Sequence, residues 1–265
     1  MGSIRSEGAS FKIAQFGALR DNYGFLLHDP SSGATAAIDT PEVEPIVATL
    51  REHSWKLTHI LNTHHHADHT GGNQELKTKY PGVVVVGPRS EQHKVRGGID
   101  VPVEGTDRVL VGSLELDVID VGGHTLGHVA YYSSVARSCF VGDSIFALGC
   151  GRMFEGTPEQ FHKTLQRLMD LPDDTKLFCA HEYTEANAKF AATIETDNED
   201  LLHRIDEIKA DRAKGLPTVP TTVELEKRTN PFVRINAVRK ALALPPDTPD
   251  HMVFAELRRR KDRFP

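Results

Sequence analysis

The sequence has few cysteines, no long apolar run and no excess of positive charge, and each absence narrows its possible functions. Three cysteines among 265 residues are too few for a disulfide scaffold, and such low usage is typical of a reducing compartment. No run of 18 apolar residues occurs, and the first ten residues lack the apolar stretch of a signal peptide. The net charge of −6 disfavours nucleic acid and anionic membranes as partners. We therefore expect a cytoplasmic chain. We also predict that the chain is a monomer.

The hydrophobic pattern divides the chain into two parts. Short apolar runs with β-branched residues predict strands at residues 24–29, 34–39, 57–63, 82–87, 114–121, 128–134, 138–143 and 176–181. Amphipathic segments predict helices at residues 41–53, 71–80, 157–171, 185–195, 198–215 and 250–264. The strand signal fades after residue 184. We expect disorder over residues 1–10, a mixed α/β body over residues 11–183 and an α-helical region over residues 184–265.

The segment NTHHHADHTGG at residues 62–72 concentrates four histidines and one aspartate within six positions. Neither a packed core nor a solvated loop needs so many imidazoles around one carboxylate, whereas a metal site does. The spacing H-x-H-x-D-H makes candidate ligands of His64, His66, Asp68 and His69. We expect the intervening His65 to point away.

Three further candidate ligands each follow a predicted strand, as His64 does. They are His124, Asp143 and His181, and strand ends are where sites are assembled in layered α/β proteins. Seven nitrogen and oxygen donors exceed the four of one tetrahedral zinc and fit two ions if Asp143 bridges them. The set contains no thiolate, which favours zinc, iron or manganese over a structural cysteine site. His128 is expected to have a supporting role.

These residues resemble a known superfamily. The motifs THHHADH, GGHTLGH, FVGD and AHEYT are similar to those of metallo-β-lactamases. GCGRMFEGT, AHEYTEANAKF and LRRRKDRF narrow the resemblance to glyoxalase II, the hydroxyacylglutathione hydrolases, over residues 11–265. The resemblance implies a four-layer αββα sandwich followed by an α-helical C-terminal domain that binds substrate. It also implies hydrolysis of S-D-lactoylglutathione to D-lactate and glutathione, a step in methylglyoxal detoxification.

The resemblance also implies roles for the candidate ligands. One ion would be held by His64, His66 and His124 and the other by Asp68, His69 and His181, with Asp143 bridging both. Two divalent ions, zinc first and iron or manganese as alternatives, can lower the pKa of bound water to about 7. A hydroxide that bridges the two ions would then attack the thioester. The thiol of the leaving group has a pKa of about 8.5, so it can depart as the thiolate without a general acid. Asp68, His69 and Asp143 therefore count as catalytic as well as ligands.

Substrate contacts are predicted from the same motifs. Arg258 and Lys261 share a face of the last helix, where the family uses an arginine and a lysine to bind the glycine carboxylate of glutathione. Arg152 and Phe154 stand where the vertebrate-type motif has lysine and tyrosine, so the charge is kept but a hydroxyl donor is lost. The predicted contacts are Arg152, Phe154, Tyr183, Asn187, Arg258 and Lys261.

Three alternatives remain open. The first is another hydrolase of the superfamily, such as a lactonase, a β-lactamase or an RNA-processing nuclease, which the glutathione motifs and the acidic charge disfavour. The second is a glutathione-persulfide dioxygenase with one iron, which the complete second ligand set disfavours. The third is a non-enzymatic metal-binding module, which would not need Arg258 and Lys261.

Overall fold

The computed structural model describes residues 11–265 and the backbone of the short strand Ile4–Arg5. Its contacts divide the chain into two compact units, of which the first comprises residues 1–120 and 127–142. The second comprises residues 121–126 and 143–265. The predicted disorder of residues 1–10 falls, apart from that strand, outside the described part of the chain. No helix within residues 11–265 has both the length and the apolar character needed to cross a membrane.

The first unit contains a seven-stranded sheet whose strands are adjacent in chain order. They are β1 (Ile4–Arg5), β2 (Lys12–Ala18), β3 (Asn22–His28), β4 (Thr35–Ile38), β5 (His59–Leu61), β6 (Val84–Pro88) and β7 (Val101–Val103). Strands β1 to β4 pair antiparallel, and strands β4 to β7 pair parallel. Because β4 and β5 run in the same direction, the residues that follow them meet at one edge of the sheet.

The described residues of this unit form three α-helices, and the first covers one face of the sheet. They are α1 (Val43–His53), α2 (Ala67–Thr70) and α3 (Asn73–Lys79). Helix α1 buries Ile46, Val47 and Leu50 in a cluster with Leu26 and Ile60 from the strands. Complete burial of each such aliphatic side chain contributes roughly 1.5–3 kcal/mol. This packing anchors the strands whose ends carry the site.

Four more strands of the first unit form an antiparallel array in the order β8 (Arg108–Val111), β9 (Leu114–Asp120), β10 (Val129–Ser133), β11 (Ser138–Gly142). Leu114, Leu116 and Val118 of β9 are buried in alternation with more exposed residues, as their spacing predicts. Every residue of β10 and β11 is buried. Strands without polar alternation are typical of a sheet covered on both faces.

The second unit is mainly helical and has two short strand pairs. The pairs are β12 (Ile145–Phe146) with β13 (Gly149–Cys150) and β14 (Lys176–Cys179) with β15 (Thr221–Thr222). The helices are α4 (Pro158–Met169), α5 (Thr184–Ile194), α6 (Glu199–Ala213), α7 (Val223–Thr229), α8 (Ile235–Ala241) and α9 (Asp250–Asp262). Thr157 caps α4 by accepting from the Gln160 amide, and Asn198 caps α6 by accepting from the Leu201 amide. Such caps stabilise a helix by about 1 kcal/mol each.

Each predicted strand and helix is present, with ends that lie within two residues of those expected. Several elements were not predicted. Strand β2 mixes Lys12 and Gln15 with apolar residues and is specified by its antiparallel pairing with β3. Helices α7 and α8 are seven residues long, which is too short for a clear helical period. Strand β15 shows that the chain after residue 184 is not purely helical.

Candidate metal centre and substrate pocket

The first unit holds the four candidate ligands of the H-x-H-x-D-H motif. His64 and His66 lie in the loop after β5, and Asp68 and His69 lie on helix α2. The Nε2 atom of His64 is 3.0 Å from Nδ1 of His66, and Nε2 of His69 is 3.5 Å from the Asp68 carboxylate. His64 and His69 are buried. Ring nitrogens that converge on other donor atoms are what divalent metal ligation requires.

Asp39 orients these histidines, and the sequence motifs did not identify it. Its Oδ2 accepts a hydrogen bond from Nδ1 of His69 at 2.8 Å and another from the Thr63 hydroxyl at 2.8 Å. Since the Thr63 hydroxyl donates to Asp39, its oxygen is left to accept from Nδ1 of His64, 3.0 Å away. Both rings therefore carry their proton on Nδ1 and present a lone pair at Nε2, the arrangement that supports metal-binding histidines. Asp39 comes directly after β4, so its position at a strand end was the available signal.

The two remaining histidines of this region have supporting positions. The backbone amide and Nδ1 of His65 both contact the buried Glu91 carboxylate at 2.9 Å, so this ring is turned aside as predicted. The ring of His128 stacks on that of His64 with centroids 4.5 Å apart. The stack limits rotation of the His64 ring, which agrees with the supporting role expected for His128.

The second unit holds the other three candidate ligands around one carboxylate. Nε2 of His124 lies 3.4 Å from Oδ2 of Asp143, and Nε2 of His181 lies 3.4 Å from Oδ1. The two imidazoles thus approach different oxygens of the same carboxylate, which is the geometry expected of a bridging ligand. Nδ1 of His124 donates to the carbonyl of Arg152 at 2.8 Å, which directs Nε2 towards Asp143.

The chain can pass close to this cluster only because residue 151 is glycine. A Cβ atom on Gly151 would lie 2.0 Å from the Asp143 carbonyl oxygen and 3.1 Å from Nδ1 of His124. No side chain fits such a space. The glycine in the motif GCGRMFEGT therefore has a steric reason.

A cavity of about 560 Å³ in the second unit is lined by His124, Asp143 and every residue predicted to contact substrate. Those residues are Arg152, Phe154, Tyr183, Asn187, Arg258 and Lys261. The Tyr183 ring stacks on His181 with centroids 4.7 Å apart, and the exposed Phe154 ring meets His124 edge-on at 5.3 Å. Candidate metal ligands and cations predicted to bind the substrate thus line one cavity within a single unit.

The cations of this cavity are partly engaged by the protein. Arg258 donates to the Cys150 carbonyl at 3.0 Å and pairs with Asp262 at 2.8 Å. Lys261 donates to the Ala186 carbonyl at 3.0 Å and lies over the Phe190 ring. A guanidinium has five N–H donors and an ammonium three, so each retains donors for an anion. The neighbouring Arg259 and Arg260 bind Glu256 instead, and neither lines the cavity.

Asn187 is buried, and its side-chain amide donates to the Ala147 carbonyl at 3.1 Å. This inward contact was not predicted. It indicates that Asn187, which lines the cavity, also stabilises the β12–β13 hairpin.

The affinity for an anionic substrate should fall as Lys261 loses its proton. Burial, with a smaller effect of the Arg258 charge, lowers the pKa of Lys261 to about 8. Lys261 is thus charged below that pH and neutral above it, so we expect KM to rise by up to about tenfold between roughly pH 7 and pH 9. Steady-state kinetics with an anionic substrate across this pH range measure the change in KM. The Lys261→Arg variant, which stays charged, should show no such rise, and a flat KM in the unmodified protein would contradict the prediction.

Comparison with known proteins assigns the chain to a family. The metallo-β-lactamase superfamily model matches residues 24–181, and the model of the hydroxyacylglutathione hydrolase C-terminus matches residues 182–264. The hydroxyacylglutathione hydrolase of Maricaulis maris (strain MCS10) is 49% identical over 254 residues, which cover 95% of this chain and 98% of that protein. The chain belongs to the hydroxyacylglutathione hydrolase family. The Methylococcus capsulatus member of the family is 48% identical over 96% of this chain and 98% of its own.

A solved structure shows the same fold at lower identity. The crystal structure of the BLEG-1 B3 metallo-β-lactamase matches with a TM-score of 0.64 and 18% identity, over 83% of this chain and 99% of that one. The family and the hydrolase class predicted from the sequence motifs are confirmed. The predicted metallo-β-lactamase fold with a helical C-terminal region is confirmed as well. The seven imidazole and carboxylate donors of this family member suit a binuclear divalent metal site.

Proposed function

We propose that this chain hydrolyses S-D-lactoylglutathione and related 2-hydroxyacylglutathiones to the 2-hydroxy acid and glutathione. One observation carries the proposal. The carboxylate of Asp143, approached by His124 and His181, lines the same cavity as Arg258 and Lys261. Glutathione carries two carboxylates, so a cavity that offers both metal ligands and cations suits a thioester attached to this anionic carrier. The names of the relatives, 48–49% identical over nearly the whole chain, support the same reaction.

The donor set fits two divalent ions, and zinc is the proposed metal ahead of iron or manganese. The donors are imidazole nitrogens and carboxylate oxygens, and the three cysteines are free and buried. When bound, such ions would supply Lewis acidity, which lowers the pKa of water and stabilises negative charge on the thioester oxygen. We propose His64, His66 and His124 for one ion, Asp68, His69 and His181 for the other, and Asp143 for both.

The side chains of the cavity would hold the substrate by its carrier. Arg258 and Lys261 retain N–H donors after their contacts within the protein, so both can bind the glycine carboxylate. Arg152 is exposed at the rim of the cavity and adds positive charge. Tyr183 and Phe154 offer aromatic surface beside His181 and His124, against which the thioester can pack. Asn187 is a further proposed contact to the substrate, and its side-chain amide also donates to the Ala147 carbonyl of the hairpin.

The leaving group explains why these residues suffice. A glutathione thiol has a pKa of roughly 8.5, so the thiolate leaves without a proton donor. Apart from the candidate ligands, the described lining of the cavity includes no histidine to act as a proton donor, and its other carboxylate side chain, Asp262, is paired with Arg258. An amide or alkoxide leaving group would need such a donor, which makes a thioester the best-suited substrate.

Turnover by purified protein tests the proposal. We expect S-D-lactoylglutathione to be hydrolysed, activity to be lost on treatment with a chelator, and activity to return when zinc is added back. Metal content measured on the same sample should approach two ions per chain. Hydrolysis of β-lactams or lactones without thioester turnover would favour another superfamily hydrolase. Oxygen consumption with glutathione persulfide would favour a dioxygenase, and metal binding without turnover would favour a non-enzymatic module.

Three further expectations are part of this proposal. They are a functional boundary between residues 183 and 184, a monomeric state and a cytoplasmic location. The family-model match changes at residues 181 and 182, which supports the boundary. Light scattering of the purified protein measures the monomer, and fractionation of the source cells measures the location.

A further inference from the structure

The β12–β13 hairpin lies between Asp143 and Arg152 in the chain, and side chains from the helical part of the second unit bind its backbone. The hairpin begins two residues after Asp143 and ends two residues before Arg152. Its backbone carbonyls accept hydrogen bonds from side chains elsewhere in the second unit, and one of its amides donates a hydrogen bond to such a side chain. Asn187 and Arg258 make two of these bonds, and both line the cavity. The other bonds come from Asn230 and Glu226, which do not line it.

Asn230 binds both strands of the hairpin. Its fully buried amide nitrogen donates to the Gly149 carbonyl at 2.9 Å, to the Phe146 carbonyl at 3.2 Å and to the Glu226 carboxylate at 2.7 Å. Two hydrogens serve three acceptors, so the longest of these bonds is the weakest. Its Oδ1 accepts from the Phe232 amide at 2.9 Å, which fixes the orientation of the side chain.

Glu226 binds the turn between the two strands. Its Oε2 accepts from the Leu148 amide at 3.0 Å, and its Oε1 accepts from Arg204 and from the Thr221 hydroxyl at 2.6 Å each. Together with the bond from Asn230, these contacts use all four acceptor positions of the carboxylate. Glu226 is fully buried, and loss of any one of these partners would leave a buried polar group unsatisfied.

The position of the hairpin affects two of the candidate metal ligands. Asp143 precedes it, and the Arg152 carbonyl that follows it accepts the proton of His124 Nδ1. A shift of the hairpin by a fraction of an ångström would therefore move the Asp143 carboxylate and release the His124 ring together. Interior packing around Gly151 leaves no room to absorb such a shift locally.

We propose that Asn230 and Glu226 are positioning residues for the reaction, because they hold the hairpin so that Asp143 and His124 keep their geometry. This assignment rests on the proposed function. A cluster with a purely structural role would stabilise the fold without altering the ligands. A positioning cluster alters metal coordination and the rate of the chemical step even in protein that is fully folded.

Asn230→Ala tests the assignment, with Asn198→Ala as the matched control. Asn198 is a half-buried helix cap in the same unit, and its bonds to the Leu201 amide and the Arg228 carbonyl do not reach the hairpin. For Asn230→Ala we expect kcat to fall about 10- to 100-fold with a much smaller change in KM. We also expect the visible absorption spectrum of the fully cobalt-loaded variant to differ from that of the unmodified protein. The control should lose thermal stability but keep kcat and the cobalt spectrum.

The outcomes separate the two proposals. An unchanged kcat and cobalt spectrum in Asn230→Ala, with only a lower Tm, would overturn the positioning role. Asn230→Ser retains one hydroxyl donor, should show an intermediate effect and serves if the alanine variant does not fold. Failure of both variants to fold would also overturn the assignment, because the cluster would then be structural. If the unmodified protein does not hydrolyse S-D-lactoylglutathione, the proposed function fails, while the cobalt spectra still decide the positioning role.

Discussion

Asp143→Ala is expected to remove both metal ions and to lower kcat/KM by at least about 10³-fold. The carboxylate is the shared partner of His124 and His181, each 3.4 Å from a different oxygen. Alanine leaves the two imidazoles without a bridging anion and reduces the negative charge that balances two divalent cations. Elemental analysis of metal content and turnover of S-D-lactoylglutathione measure the two effects.

The control for this variant is Asp170→Ala, which removes an exposed carboxylate at the end of α4. It should retain both ions and full activity. Asp143 is buried, so its loss alters packing. Circular dichroism should therefore be used to confirm that both variants are folded. Retention of two ions per chain by folded Asp143→Ala would contradict the bridging role. Loss of a single ion would show that Asp143 binds only one of them.

Asp39→Asn is expected to weaken metal binding about 10- to 100-fold and to lower kcat/KM accordingly. The Oδ2 atom of Asp39 accepts from both Thr63 and His69 at 2.8 Å. An amide nitrogen at that position donates instead, so Nδ1 of His69 would have to accept and the ring proton would move to Nε2. The lone pair needed for metal ligation would then be lost, although the shape of the side chain is unchanged.

Competition with a chromogenic chelator measures this change in affinity. The matched control is Asp117→Asn on β9, where the carboxylate makes a surface ion pair with Arg108. Such pairs contribute about 0–1 kcal/mol, so metal affinity should be unaffected. If Asp39→Asn bound both ions as tightly as the unmodified protein, His69 would not depend on Asp39 for its orientation.

Four of the candidate ligands could be predicted from the sequence because each follows a predicted strand, namely His64, His124, Asp143 and His181. Strand β11 is followed at once by Asp143, and strand β14 is followed two residues later by His181. The H-x-H-x-D-H spacing is local, so the chemistry of His64 to His69 is legible without tertiary information. The last helix is similar, since the i, i+3 spacing alone places Arg258 and Lys261 on one face.

The supporting residues were missed for a common reason. Asp39 lies 30 positions before His69, and Glu226 lies 78 positions after Leu148. Their side-chain types are ordinary, and no spacing rule connects them to partners so far away in the chain. Similarly, nothing in the sequence predicted that the side chains of Asn187 and Arg258 also bind the hairpin backbone.

The amino-acid sequence by itself determined the fold family and the class of reaction, and it predicted the candidate donor set, because these depend on residue types in local patterns. Tertiary structure alone decided which ring nitrogen of His64, His69 and His124 carries the proton, and which side chains bind the β12–β13 hairpin. Those features depend on hydrogen bonds between residues far apart in the chain, and a hydrogen bond forms only within about 3 Å and a narrow range of angles. Distances of that precision exist only after the chain has folded.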